Sequence, residues 1–260
     1  MADLAFSDSL GPEKAGRFVA AIDALGDHLP MVGSVVGQTW RVVGSAAINY
    51  WLRVGGKPGV PVSDLDIATP NLNDLKPVTG SELLLAHRHL PNRTGHYAAV
   101  VYGPNGVKFD MFSSHSDEPL PTPVRLGRGV DRIVPVRCAE AQMAVSIGWL
   151  ARRVSGYGFG SHGKYLVSLR ALAEVVDDSQ VEELWLKLNP YAKMGAFATY
   201  ELAASRAHEQ GGSPESGLRH KANMLISKCP DCDYGDANYP IASRFKVAAT
   251  ILWRRAHPKV

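Results

Sequence analysis

The chain has 260 residues, 45% of them hydrophobic and 20% charged, ordinary values for a globular protein long enough for one large domain or two modest ones. Its 3 cysteines, Cys138, Cys229 and Cys232, are too few and too scattered for a disulfide framework. No apolar run is long enough to span a bilayer, so no membrane association is expected. The net charge of +3 is unevenly spread: residues 137–260 carry 16 Lys/Arg against 12 Asp/Glu, and no acid follows Asp236.

Met1-Ala2-Asp3-Leu4 lacks the basic and apolar regions of a secretory signal, so a cytoplasmic location is expected. Residues 12–29 read as a helix, with Phe18, Val19, Ile22 and Leu25 at helical spacing and Gly26 placed to stop it. Trp40 to Val43 reads as a short strand ending at Gly44-Ser45. A helix from Ala46 to Val54 follows, then a loop over Gly55-Gly56-Lys57-Pro58-Gly59. Val62 to Ala68 reads as a strand ended by Pro70-Asn71, and residues 81–90 favour helix. Tyr97–Tyr102 and Val107–Phe112 flank Gly103-Pro104-Asn105-Gly106 and read as a hairpin. Beyond residue 137 the pattern turns helical: 139–154, 164–176, 181–188, 196–209, 217–227 and 241–255. The fold class expected is therefore α+β: a small mixed β-sheet with helices over residues 1–136, then an all-helical domain over 137–260. The cleft between the two is the expected binding site.

The chemistry concentrates in Ser63-Asp64-Leu65-Asp66-Ile67. Side chains alternate along a strand, so Asp64 and Asp66 share one face. Two adjacent carboxylates repel unless a cation lies between them, and hard oxygen donors of this kind suit Mg²⁺ or Mn²⁺. The plainer alternative is a pair of acids facing water at a strand end. Lys108-Phe109-Asp110-Met111-Phe112 places a third carboxylate in an apolar strand. If that strand lies beside 62–68, Asp110 completes a three-carboxylate cluster with Lys108 on the same face. At Val42-Val43-Gly44-Ser45 a strand runs into a small-residue turn and a helix, where backbone N–H groups can cradle phosphate; an ordinary strand-to-helix turn would look the same.

This order of motifs resembles the DNA polymerase β-like nucleotidyltransferase superfamily: a Gly-Ser turn, a helix, an Asp-x-Asp strand, then a third acid on a following strand. The closest likeness is to AbiEii-type nucleotidyltransferases, many of them toxins of toxin–antitoxin or phage-defence systems. It covers roughly residues 30–175. It implies transfer of a nucleoside monophosphate from an NTP to an acceptor hydroxyl, with Asp64, Asp66 and Asp110 as catalytic, metal-holding acids and Mg²⁺ or Mn²⁺ as cofactor. Gly44 and Ser45 would hold phosphates, and Lys108 and Lys164 would add positive charge to them. Lys164 matches a family lysine near a helix start; Ser168 stands where the family often has an acid. The acceptor would be an RNA 3′ end such as that of tRNA, a protein or a small molecule. The basic C-terminal segment favours RNA, and a toxin role would add an antitoxin partner. The rival readings are a catalytically inactive nucleotidyltransferase fold that binds nucleotide or RNA, and a P-loop phosphotransferase.

The last of these rests on Gly158-Phe159-Gly160-Ser161-His162-Gly163-Lys164-Tyr165. Tyr165 stands where a Walker loop needs Ser or Thr, and the segment follows a helix where a strand is required. It reads better as a loop between helices that delivers Lys164, with Tyr157 and Phe159 as candidates for stacking on a base. Cys229-Pro230-Asp231-Cys232 has zinc-knuckle spacing but no second cysteine pair. His87, His89 and His96 lie among Arg88 and Arg93 and read as a polar face. Trp149, Trp185 and Trp253 read as helix core.

Overall fold

A computed structural model describes residues 4–28, 40–62, 64–69, 84–89, 98–103, 106–114, 117–157 and 163–209, and the single positions 249, 252, 253 and 256. The fold is α+β. A short helix α1 (Phe6–Ser9) leads into α2 (Pro12–His28). Phe18, Ile22 and Leu25 of α2 are buried, which is the face its helical spacing predicts. Strand β1 (Arg41–Val43) passes directly into α3 (Gly44–Val54), which starts two residues before the position expected from sequence.

Strands β2 (Leu65–Thr69), β3 (Leu84–His89), β4 (Ala98–Tyr102), β5 (Lys108–Ser113), β6 (Thr122–Gly127) and β7 (Val130–Val136) join β1 in one seven-stranded sheet, ordered β3-β4-β5-β2-β1-β7-β6. The sheet is mixed: β1 runs antiparallel to β2, while β2 with β5 and β1 with β7 are parallel. The expected hairpin is present as β4 and β5, paired antiparallel from Ala98↔Phe112 to Tyr102↔Lys108.

One expected helix needs correction, and one hairpin was not expected. Residues 84–89 form a strand, not part of a helix: they pair antiparallel with β4 through a bulge between Leu85 and His87. A short apolar run such as Leu83-Leu84-Leu85 has no period that separates helix from strand, and the open edge of β4 offers it a hydrogen-bonding ladder. The hairpin β6–β7 is not visible in the sequence reading. Its two prolines, which argue locally against a strand, face each other as Pro123↔Pro135. β6 is the terminal strand of the sheet, and β7 meets β1 only at Val42↔Val136, so neither missing N–H breaks a long ladder. The hairpin turns at Arg128-Gly129, where φ of 76° at Gly129 requires glycine.

After β7 the chain is helical: α4 (Ala139–Arg152), a π-helical turn over Arg153–Tyr157, α5 (Gly163–Leu172), α6 (Asp178–Leu188) and α7 (Ala196–Glu209). Side chains fix the helix ends. The Asp177 carboxylate accepts from the Gln180 N–H at 3.1 Å, an N-cap for α6. Glu182 accepts from the Ala196 and Phe197 N–H groups at 2.7 and 3.1 Å and so caps α7. The helix expected at 217–227 lies outside the described residues. Of 241–255 only 249, 252 and 253 are described, each helical. Cys229, Cys232 and the Gly-rich loop 158–162 also lie outside the described residues, as do His96 and the side chains of His87 and His89. No helix among the described residues is long and apolar enough to cross a membrane.

Two apolar clusters meet at α3. One joins α1 and α2 to the sheet through Leu65, Ile67, Phe109 and Met111, with Ala46, Ala47 and Tyr50 of α3. The other joins Ile48 and Leu52 of α3 to α4, α5, α6 and α7. Trp185 is buried in the second, and its indole N–H donates to the Met194 carbonyl at 2.9 Å. Trp149 is 37% exposed and Trp253 57% exposed, so these two are not core, contrary to the sequence reading. Phe109 is fully buried on a central strand, whereas Leu120 is 63% exposed. Phe109→Ala is therefore expected to lower unfolding free energy by about 3–5 kcal/mol, and Leu120→Ala by no more than about 0.5 kcal/mol, both read by urea denaturation.

Candidate active site

The alternation that buries one sheet face decides what the other carries. Leu65, Ile67, Phe109 and Met111 are fully inaccessible. The intervening residues Asp64, Asp66, Lys108, Asp110 and Phe112 are half-buried on the opposite face. The parallel register of β2 with β5 sets Asp66 directly opposite Asp110. The antiparallel register with β1 sets Asp66 opposite Val43, one residue before the turn into α3. Three separated stretches of chain thus converge at the middle of the sheet.

Lys108 holds the outer acids together. Its Nζ lies 3.1 Å from Oδ2 of Asp64 and 2.5 Å from Oδ2 of Asp110. Burial works to lower its pKa, but the carboxylates of Asp110 and Asp64 outweigh burial and hold it well above the ordinary lysine value. Among the described residues no three His, Cys, Asp or Glu side chains are already gathered as a metal cage; the outer acids are drawn onto the ammonium instead. The donor set still fits a hard divalent cation: carboxylate oxygens project from register-paired positions on one face, and a cation, that of Lys108, already sits among them.

Gly44 gives Asp66 its space. Its φ is 64°, a left-handed conformation. A Cβ placed there would overlap the Asp66 carboxylate, lying 2.7 Å from its Cγ and 2.8 Å from its Cβ. The turn is held from α4: the Gly44 N–H donates to Oε1 of Gln142 at 3.1 Å, and Nε2 of Gln142 donates to Oγ of Ser146 at 2.8 Å. Ser45 is 5% exposed, and its Oγ has no hydrogen-bond partner among the described residues.

Asp66 and Gly44 open onto a cleft of about 140 Å³ walled by α4, the π-helical turn and α5. Arg137 lies at its base, paired in bidentate fashion with Glu118 at 2.9 Å for both contacts, and Arg41 reaches the same carboxylate at 3.2 Å. Burial lowers the Arg41 pKa. On the far wall the Arg153 guanidinium lies 4.4 Å from the Tyr165 ring centre. The Tyr165 hydroxyl is pushed up, chiefly by burial and further by Asp66, Asp64 and Asp110, while Arg153 opposes the rise. Trp149 lines the mouth, 6.2 Å from the Phe112 ring and with the Arg152 guanidinium 5.7 Å from its own centre.

Of the residues singled out from sequence, Gly44, Ser45, Asp64, Asp66, Lys108 and Asp110 meet around this one place. Lys164 occupies the second position of α5, beside Tyr165; its side chain lies outside the described residues. The sequence reading missed Gln142, Glu118, Arg137 and Arg153, and met Tyr165 only as a misfit to a Walker loop. A glutamine on the apolar face of α4 was the one local signal among them.

No protein-family model matches the chain, and no curated protein does. Among solved structures it is similar to the antibiotic-resistance factor ANT(2'')-Ia, with 15% identity and a TM-score of 0.43, over 75% of this chain and 98% of that one. It is also similar to the Megavirus polyadenylate synthase, with 10% identity and a TM-score of 0.39, over 84% of this chain and 50% of that one. Both likenesses are distant.

Gly44→Ala combines a left-handed backbone with a clash against Asp66. It is expected to destabilise the protein by more than the ~1–2 kcal/mol that the backbone alone costs, visible as a lowered melting temperature. Gly56→Ala, at a similar φ of 70° with open space around it, provides the control for backbone strain.

Proposed function

We propose that the chain is a metal-dependent nucleotidyltransferase that moves a nucleoside monophosphate from an NTP to an acceptor hydroxyl. The observation that carries this reading is the in-register pair Asp66 and Asp110, with Asp64 on the same face, beside the Gly44 turn at the start of α3. Asp64, Asp66 and Asp110 would hold Mg²⁺ or Mn²⁺. When bound, that ion supplies charge neutralisation at the α-phosphate and the departing pyrophosphate.

The remaining work falls to the chain itself. The Gly44 N–H is taken by Gln142, but the start of α3 lies against the Asp66 carboxylate, and the positive end of a helix favours phosphate oxygens on its following N–H groups. Ser45 Oγ, buried with no partner among the described residues, has a donor to offer there. Asp110 accepts the proton of the acceptor hydroxyl. That oxygen bonds to the α-phosphorus as the bond to the β-phosphate bridging oxygen breaks, and pyrophosphate leaves. Trp149 and Arg152 at the cleft mouth suit stacking on a base. Lys164, two positions into α5, would meet the triphosphate.

For the acceptor, the excess of Lys/Arg after residue 236 favours RNA. An AbiEii-type toxin, with an antitoxin as partner, rests on Ser63 before the Asp-x-Asp strand and on Gly163-Lys164 at the start of α5. A second reading, a catalytically inactive fold that binds nucleotide or RNA, is favoured by one observation: an ammonium already neutralises Asp64 and Asp110.

One experiment separates the readings. The protein is incubated with α-³²P- or γ-³²P-labelled NTP, Mg²⁺ or Mn²⁺, and total RNA. Label transferred from the α position only is expected; saturable binding with no transfer would leave the inactive fold. Asp66→Asn is expected to lower transfer by about three orders of magnitude, on the scale of the several kcal/mol a metal supplies, with no loss of melting temperature in the absence of metal.

A further inference from the structure

Lys108 is a residue of this chain, not a ligand, yet it stands where the proposed reaction needs a cation. We propose that Lys108 is a tethered counter-cation that occupies the carboxylate cluster while no metal is bound, and that a divalent ion must displace its ammonium to enter. The inference rests on the metal-dependent reading above and adds a regulatory property to it.

Three observations carry the argument. The Lys108 ammonium touches one oxygen of Asp64, the residue that leads into β2, and one of Asp110, from β5, so it ties β5 to the entry of β2. Lys108 and Asp110 lie two residues apart on one strand, so their side chains are fixed on the same sheet face. The cluster is half-buried, with side-chain exposures of 23% for Lys108, 16% for Asp64 and 24% for Asp110, so water alone does not screen the acids from each other.

Exclusion follows from size and charge. A divalent ion bound by Asp64 and Asp110 competes with the ammonium for the same two carboxylates and for the Oδ2 atoms it now holds. Mg²⁺ also demands near-octahedral oxygen contacts at about 2.0–2.1 Å, a shell with no room for a lysine Nζ, and its charge repels that nitrogen. Metal and ammonium are therefore alternative occupants. Linkage then requires that whatever stability the lysine contributes to the metal-free cluster is subtracted from the apparent metal affinity. The freed side chain stays on the cleft side of the sheet, within reach of anionic groups.

The test measures Mn²⁺ binding to the full chain by titration calorimetry and by paramagnetic resonance, without nucleotide. Lys108→Met removes the competing cation, and Lys108→Gln serves the same purpose with a polar side chain should Met perturb folding. Each is expected to bind Mn²⁺ about tenfold or more tightly than wild type, to melt lower without metal, and to gain more melting temperature from Mn²⁺. Lys108→Arg keeps a cation and is expected to stay near the wild-type affinity. A purely structural lysine would give weaker binding on removal, so a variant that binds Mn²⁺ as weakly as wild type, or more weakly, overturns the proposal and leaves the metal-dependent reading standing. Absence of Mn²⁺ binding in wild type and in every Lys108 variant overturns both.

Discussion

Asp66 and Asp110 stand opposite each other on adjacent parallel strands, and two carboxylates so placed repel. Everything around the site follows from keeping them there. The repulsion is tolerated because the opposite face of the same strands is fully buried: Leu65, Ile67, Phe109 and Met111 are inaccessible and interlock with α1 and α2. Slipping either strand by one residue would turn the acids into that core and the apolar residues into the cleft, at the cost of several buried side chains worth roughly 1.5–3 kcal/mol each. The core thus enforces a charge arrangement that the acids alone would avoid, and Lys108 relieves what repulsion remains.

The same constraint explains the turn after β1. Asp66 is opposite Val43, so the next residue must pass close to its carboxylate, and only a residue without Cβ can do so. Gly44 is at once the residue that admits Asp66 and the first residue of α3. Because α3 contributes to both apolar clusters, and Gln142 of α4 accepts from the Gly44 N–H, the position of Asp66 depends on packing among the helices as well as within the sheet. Trp51 ties the same two helices again: its indole N–H donates to the Arg137 carbonyl at 2.7 Å, just before α4 begins. A substitution at this junction would disturb the acids without touching them.

What could be read from the sequence followed how local each signal was. The period-2 alternation in Leu65-Asp66-Ile67 and Lys108-Phe109-Asp110-Met111 carried the strands, their faces and the shared side of Lys108 and Asp110. Helical spacing carried α2 and the described helices α4 to α7, and α7 matches its expected bounds of 196–209. Leu84–His89 reads as helix locally because a short apolar run has no decisive period; its strand character comes from pairing with β4. Val130–Val136 and Thr122–Gly127 were hidden by Pro135 and Pro123, acceptable only because of where those strands lie in the sheet. Gln142, Glu118 and Arg153 could not be placed, since each meets the site through contacts between distant elements. Glu118, for example, reaches Arg41 across 77 positions of sequence.

Arg41, Arg137 and Glu118 bring a second sign of charge to the site. Two guanidiniums, Arg41 and Arg137, converge on the single buried carboxylate of Glu118, and burial lowers the Arg41 pKa, penalising the charge that this guanidinium holds. A positive charge disfavoured by burial is stabilised by an anion arriving nearby. Across the cleft the acids of β2 and β5 have the opposite need and are served by a cation. A polyphosphate carrying a divalent ion would, under the proposed function, bring both. Under the proposed function this opposition favours the metal–nucleotide complex over either component alone. It also ties Lys108 to the same logic: as long as its ammonium stays on Asp64 and Asp110, two of the three acids are already partly neutralised.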